Sequence, residues 1–323
     1  MPSEPVLKTK NLGKQYGNRW AVKELNLDVM RGEIFGFLGP NGAGKSTTIR
    51  MMLSLIRPTT GSVELFGLPL TSNRSQVLAR VGGLVERADF YLHLSARRNL
   101  EIVATLYGGV KPGSINRALE LVGLSDRATD RVKSYSHGMK QRLGIAQSLL
   151  ASPELVILDE PTTGLDPQGI VEVRELITSL SREQGMTVFL SSHLLSEIEQ
   201  TATSMAIIHH GSCIVQGPVK QMLAEDGATV NLDVMPQGEA EVLLRQWGFE
   251  VVLDAVSQRI NVTANREAIP GLVSRLVEHN IRVFGITPNR SLEAYFLRIT
   301  AEADDQERIA GSTKAVANTR GRA

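Results

Sequence analysis

Short, unbroken apolar runs punctuate the chain up to about residue 220: IFGFL at 34–38, ELVIL ahead of Asp159, MTVFLSS ahead of His193, and MAIIHHG at 205–211. Each has the length of a strand and lacks polar alternation, the pattern of strands covered on both faces of a largely parallel sheet. Longer stretches with helical patterning separate them. The region predicts α/β architecture. From about residue 228 the rhythm changes to ATVNLDV, a helix around 238–247, FEVVLD, RINVTA, a helix around 266–278 and IRVFGIT, with a last helix in SLEAYFLRIT. In order this is β-α-β-β-α-β, the split βαβ or ferredoxin-like arrangement. The expected organisation is a large domain over residues 1–222, a small α+β domain over 228–300, and a tail over 301–323. The tail is polar and lacks apolar periodicity, so it is expected to be disordered.

Composition narrows the function classes only a little. With 323 residues, 42% hydrophobic and 21% charged, the chain can bury one large core and one small one. A formal net charge of +1 carries no global basic bias toward nucleic acid, and no direct nucleic-acid partner is expected. Cys213 is the single cysteine, which excludes an internal disulfide and fits a reducing cytoplasm. In an apolar run such a thiol reads as a small core hydrophobe. The start MPSEPVLKTK lacks the apolar core of a signal peptide, and no run reaches the ~18 apolar residues of a membrane span. The chain is not expected to enter a bilayer by itself.

The first chemical motif is GPNGAGKST, comprising Gly39, Pro40, Asn41, Gly42, Ala43, Gly44, Lys45, Ser46 and Thr47. It fits G-x-x-x-x-G-K-[ST], follows the apolar run IFGFL and precedes a helical pattern, which is the context that phosphate binding requires. The glycines let backbone N–H groups approach phosphate oxygens, and the following helix turns its positive end toward the same anion. Lys45 would reach the β- and γ-phosphates and the Ser46 hydroxyl would ligate Mg²⁺.

The second motif is ELVILDEP, in which an apolar run leads directly into Asp159 and Glu160. Ligands of parallel sheets sit beyond the carboxyl ends of strands, so both carboxylates should arrive near the phosphates. Asp159 would hold Mg²⁺ through its water shell, and Glu160 would orient or deprotonate the attacking water. His193 ends another strand-like run, where an imidazole can contact the γ-phosphate. Asp166 lies in TTGLDPQG, a polar turn. In SYSHGMKQRL, Ser136 is placed to cap a helix and Gly138 to admit a phosphate close to backbone.

GPNGAGKST, YSHGMKQR, LVILDEP, GLD and SSH stand in the order and spacing of the ATP-binding cassette family, a resemblance covering roughly residues 5–220. It implies a P-loop NTPase cassette with an antiparallel β part and a helical subdomain at about 87–150. Two cassettes would dimerise head to tail, with ATP between the glycine loop of one and the signature motif of the other. On this resemblance Lys45 and Ser46 match the phosphate and magnesium positions, Asp159 the magnesium carboxylate, Glu160 the catalytic carboxylate and His193 the switch histidine. Asp166 matches the dimer-contact loop. Ser136 and Gly138 match the signature, and Tyr16 the aromatic that stacks on adenine, although on its own Tyr16 reads as a strand residue beside a turn.

Two stretches depart from the family pattern. Where a glutamine usually senses magnesium and the membrane partner, GGLVERADF offers Glu86. Direct magnesium contact and an exposed loop glutamate are both open there. The usual Leu-Ser-Gly-Gly-Gln is Tyr135, Ser136, His137, Gly138, Met139, with His137 read as a solvated helix-start residue. Together with the C-terminal extension, these stretches most resemble exporters of the bacitracin- and antibiotic-resistance kind, which pair two cassettes with separately encoded membrane subunits. The chain would then sit on the cytoplasmic face of the cell membrane, held by a polytopic permease, and power export of a drug, peptide antibiotic or lipid-like substrate. DFYLHL, Asp89 to Leu94, is either the groove for a helix of that permease or a loop anchor. The alternative from a different class is a soluble cassette acting as an ATP-driven switch on nucleic acid or ribosomes. Such proteins commonly carry two cassettes or a long coiled coil between loop and signature, and no sustained heptads lie between Lys45 and Ser136.

Overall fold

The chain opens with two long strands, β1 (Pro5–Tyr16) and β2 (Arg19–Met30), followed by β3 (Ile34–Leu38) and helix α1 (Lys45–Met52). Next come β4 (Thr60–Leu65), β5 (Leu68–Pro69), α2 (Arg74–Leu78), β6 (Val81–Leu84), α3 (Ala96–Leu106), α4 (Ser114–Leu121) and α5 (His137–Leu149). The sequence then runs through β7 (Leu155–Asp159), α6 (Pro167–Arg182), β8 (Thr187–Ser192), α7 (Leu195–Thr201), β9 (Ser204–His209) and β10 (Ser212–Pro218). This computed structural model describes residues 4–86, 88–225, 229–254, 259–264, 268–289, 292–293 and 295–304. Two compact units divide it, Met1–Pro218 and Val219–Ala323.

Two sheets build the first unit. The antiparallel sheet has the order β2-β1-β4-β5, and the larger sheet the order β10-β9-β3-β8-β7-β6. In the larger sheet all neighbours are parallel except β9 and β10. Every residue of β3, β7 and β8 is buried, the physical reason these strands read as continuous apolar runs. Phe189 stacks on Phe35 at 5.5 Å and tilts against Phe37 at 5.4 Å, tying β8 to β3. The consequence for the site is one of register: Leu38 pairs with Ser192, and Asp159 with Ser191. The carboxyl ends of three adjacent strands therefore deliver the glycine loop, Asp159-Glu160 and His193 to the same edge. Helices α3, α4 and α5 form the helical part between β6 and β7.

The second unit starts with α8 (Val219–Glu225), so the expected boundary at 222 falls within a helix. It continues through β11 (Thr229–Met235), α9 (Gln237–Gln246), β12 (Val251–Asp254), β13 (Arg259–Thr263), α10 (Ile269–Glu278) and β14 (Arg282–Asn289). Its sheet has the order β12-β13-β11-β14 with every pairing antiparallel, the ferredoxin-like topology. Val230, Leu232, Ile260 and Val262 of the sheet pack with Leu244 of α9 and Leu272 and Leu276 of α10 into a core of the unit's own. Residues 301–304 are helical, which corrects the expected start of a disordered tail at 301; the rest of that tail lies outside the described residues. Helical patterning ends later than expected because the polar run AEAD still has good helix formers. Among the described residues no helix is long and apolar enough to cross a membrane.

Candidate nucleotide-binding and hydrolysis site

The glycine loop leaves β3 and wraps onto the first turn of α1. Gly44 stands at the helix N-cap with φ 111, and a methyl group there would lie 2.4 Å from the carbonyl oxygen of Ala21. At Gly39 the same methyl would meet the Ile208 carbonyl at 2.4 Å. Only glycine fits either position, so the loop is pressed between β2 and β9. The amide of Gly211 donates to the Ala43 carbonyl at 3.1 Å and braces the loop from the β9–β10 turn.

Lys45 begins α1 and is only 5% exposed. Its ammonium donates to the Gly39 carbonyl at 2.7 Å and lies 3.4 Å from a carboxylate oxygen of Glu160. A buried cation surrounded by oxygens at the positive end of a helix is the chemistry of a phosphate site. Ser46 follows it and lines a cavity of about 250 Å³ together with Glu86, Gln141, Asp159, Glu160 and Thr163. Hydroxyl and carboxylate oxygens thus face one space, a donor set that suits a hard divalent cation such as Mg²⁺. Asp159 is buried and accepts from the Ser191 hydroxyl at 2.6 Å, which leaves its other oxygen free of this bond.

Glu160 is the most constrained residue of the site. Its φ of 48 is left-handed, which for a non-glycine residue costs about 1 kcal/mol. The amide donates to the Ser191 hydroxyl at 2.9 Å, so one serine of β8 fixes both Asp159, the last residue of β7, and Glu160, which follows it. The carboxylate oxygen Oε2 accepts from the Thr163 hydroxyl at 3.0 Å and lies 3.0 Å from His193 Nδ1. Partial burial pushes the carboxyl up, but the Thr163 hydroxyl, the Lys45 ammonium and the His193 ring together outweigh it and hold the carboxyl below its ordinary range. The group is therefore an ionised, aimed hydrogen-bond acceptor.

The remaining predicted residues are spread over several places. Tyr16 ends β1 with its ring 50% exposed and the Lys14 ammonium 5.3 Å from its centroid. Glu86 is exposed, its carboxylate is bound to Arg50, and the residue also lines the cavity. Ser136, Gly138 and Asp166 do not line that cavity. Ser136 caps α5 by accepting from the Met139 amide at 3.2 Å, and Asp166 caps α6 by accepting from the Gly169 amide at 3.1 Å. A methyl group at Gly138 would lie 3.8 Å from the Gly169 Cα, an ordinary contact. The two helix starts are thus neighbours, and Arg142 of α5 pairs with Glu172 of α6 at 3.3 Å behind them. His137 is exposed as the first residue of α5. In DFYLHL the buried Asn99 clamps the Tyr91 backbone on both sides at 2.9 and 3.2 Å, and leaves Tyr91 56% and Leu92 48% exposed.

Sequence reasoning passed over Ser191, Thr163 and Gln141. The paired serines after TVFL were visible at a strand end, the place where ligand-facing hydroxyls gather, whereas Thr163 looked like any turn residue and nothing in the pattern of α5 singles out Gln141.

Residues 22–163 match the family described as ABC transporter. Over 91% of its length the chain is 44% identical to the bacitracin transport ATP-binding protein BcrA of Bacillus licheniformis, covering 97% of that protein. Over 65% it is 44% identical to the lantibiotic transport ATP-binding protein SrtF of Streptococcus pyogenes, covering 90% of that protein. A solved ATP-binding subunit of an ABC transporter superposes with a TM-score of 0.59 at 29% identity, over 67% of this chain and 91% of that one. With its glycine loop, paired carboxylates and strand-end histidine on one sheet edge, the chain belongs to the ATP-binding cassette family of ABC transporter ATP-binding proteins and is an ATPase.

Proposed function

We propose that this chain is the ATP-hydrolysing subunit of an exporter whose membrane subunit is a separate protein, and that it works as a head-to-tail dimer. The observation that carries the reading is the convergence of Lys45, Asp159, Glu160 and His193 at the ends of β3, β7 and β8, with Ser136 and Gly138 outside the lining of that cavity. Glycine at 138 is not demanded by packing within the subunit, which supports a contact with a second molecule there. In the dimer the start of α5 supplies N–H groups and the Ser136 hydroxyl to the triphosphate held by the other subunit's glycine loop.

Ser46 and Asp159 are the residues that would hold Mg²⁺, which when bound neutralises charge on the triphosphate. Lys45 exchanges its carbonyl and carboxylate partners for phosphate oxygens, and its release leaves Glu160 with Thr163 and His193. Glu160, ionised and held by these two groups, accepts a hydrogen bond from the attacking water and aims it. Tyr16 offers an exposed ring face to the adenine. Tyr91 and Leu92, presented on a loop clamped by Asn99, form the surface for a helix of the membrane subunit, which would hold the chain on the inner face of the cell membrane. BcrA and SrtF, named for transport of bacitracin and of a lantibiotic, support a peptide antibiotic as the exported class. The test is Glu160→Gln, measured for MgATP binding and for hydrolysis. The reading expects binding retained and turnover lowered at least a hundredfold, and wild-type turnover would remove Glu160 from this role.

A further inference from the structure

We infer that Glu197, a residue that touches neither cavity nor nucleotide loop, is a positioning residue for hydrolysis, because it ties the loop carrying Glu160 to the loop carrying His193. This inference rests on the proposed roles of those two residues. Glu197 lies on α7 and is 7% exposed. Its Oε2 accepts from the Thr162 hydroxyl at 2.5 Å and lies 3.3 Å from the Ser192 hydroxyl, whose single proton it shares with the Leu194 carbonyl at 3.3 Å. Thr162 is two residues beyond Glu160, and Ser192 immediately precedes His193. Both hydroxyl residues are themselves buried. Ser192 also accepts from the Leu194 amide at 2.9 Å, so the backbone on each side of His193 is fixed through the same serine.

Two further observations favour a role in function over one in packing. The other carboxylate oxygen, Oε1, is buried and makes no hydrogen bond among the described residues. An uncompensated buried carboxylate oxygen is costly, and an apolar side chain would fill the same space without that cost. The next residue, Ile198, already anchors α7, since a methyl group at Gly36 of β3 would lie 2.6 Å from its Cγ2. With the helix held by Ile198, the charge on Glu197 is left to hold the two loops. A short O–H···O⁻ bond is stiffer and roughly twice as strong as a neutral one, which suits a part that keeps Glu160 and His193 at bonding distance.

The test is made on the full chain with MgATP, comparing Glu197→Gln, Thr162→Val and the double variant. Steady-state kcat and KM, affinity for a fluorescent ATP analogue, and the thermal midpoint are measured. Each single change is expected to lower kcat about fivefold, with KM and nucleotide affinity within about twofold, and the double change to be no worse than the worse single one. An unchanged kcat, a loss that follows KM, or losses that multiply in the double variant would each overturn the inference. If Glu197→Gln fails to fold, Thr162→Val breaks the same bond from its other end and decides the question. Wild-type turnover in Glu160→Gln would remove the underlying reading; an inactive Glu160→Gln beside an unaffected Glu197→Gln would remove this inference alone.

Discussion

His193 Nδ1 lies 3.0 Å from Oε2 of Glu160, the oxygen that also accepts from the Thr163 hydroxyl at 3.0 Å. The imidazole therefore orients the carboxylate and helps keep it ionised. His193→Ala should lower kcat by about 10- to 100-fold while leaving nucleotide affinity within a few-fold. It should also raise the Glu160 carboxyl, since one of the groups holding it down is gone. A carboxylate that works ionised loses activity as pH falls through its pKa, so the acid limb of the kcat profile should move to higher pH in the variant. An acid limb left in place would show that the contact does not operate during turnover.

Ser136 has one visible task, accepting from the Met139 amide at the start of α5. Ser136→Ala should cost about 1 kcal/mol of stability through the lost cap. ATP binding by the single subunit should be unchanged while hydrolysis falls. Ser136→Asp separates the two effects: it should restore the cap and the thermal midpoint, yet in the proposed dimer it places a carboxylate against the other subunit's triphosphate, so hydrolysis should stay low. Recovery of hydrolysis along with stability would reduce Ser136 to a cap.

Glu154 carries a clear pH-linked contribution to folding. The hydrogen bond from Arg80 at 2.6 Å comes first and that from Arg31 at 2.8 Å second, and together they overcome burial and lower the carboxyl to about 2. An unfolded glutamate titrates near about 4.3, so this stabilisation is complete above that pH and is lost as pH falls toward the folded value. The carboxylate is more than a third exposed, and screening reduces its contribution to about 1 kcal/mol. Urea unfolding of Glu154→Gln against wild type should show that difference at neutral pH and a smaller one near about pH 3.5. A difference that grows on acidification would contradict the assignment.

Much of this site was legible because its parts are local. GPNGAGKST carries its own turn requirements, and the run LVIL ending in Asp159 and Glu160 declares both a buried strand and the end at which ligands gather. The β-α-β-β-α-β order after residue 228 was readable from the alternation of its strands. The links between these parts were not legible, since Ser191 with Asp159 and Thr162 with Glu197 are contacts between residues more than thirty positions apart. A serine at a strand end looks the same whether or not it holds two acids. Glu86 shows the same limit: its salt bridge with Arg50 depends on α1 and the loop after β6 meeting in space. The end of the last helix was misplaced because polar helix formers carry no apolar period to count.

The central claim, that a complete hydrolytic site joins Glu160 of one subunit to Ser136 of the partner subunit, is tested most directly by mixing. Glu160→Gln and Ser136→Ala chains, each impaired alone, are combined in equal amounts with MgATP and allowed to exchange subunits. In a head-to-tail dimer half of the sites in a mixed pair then contain both intact residues. The account predicts hydrolysis by the mixture well above the mean of the two variants measured apart; a rate equal to that mean would contradict it.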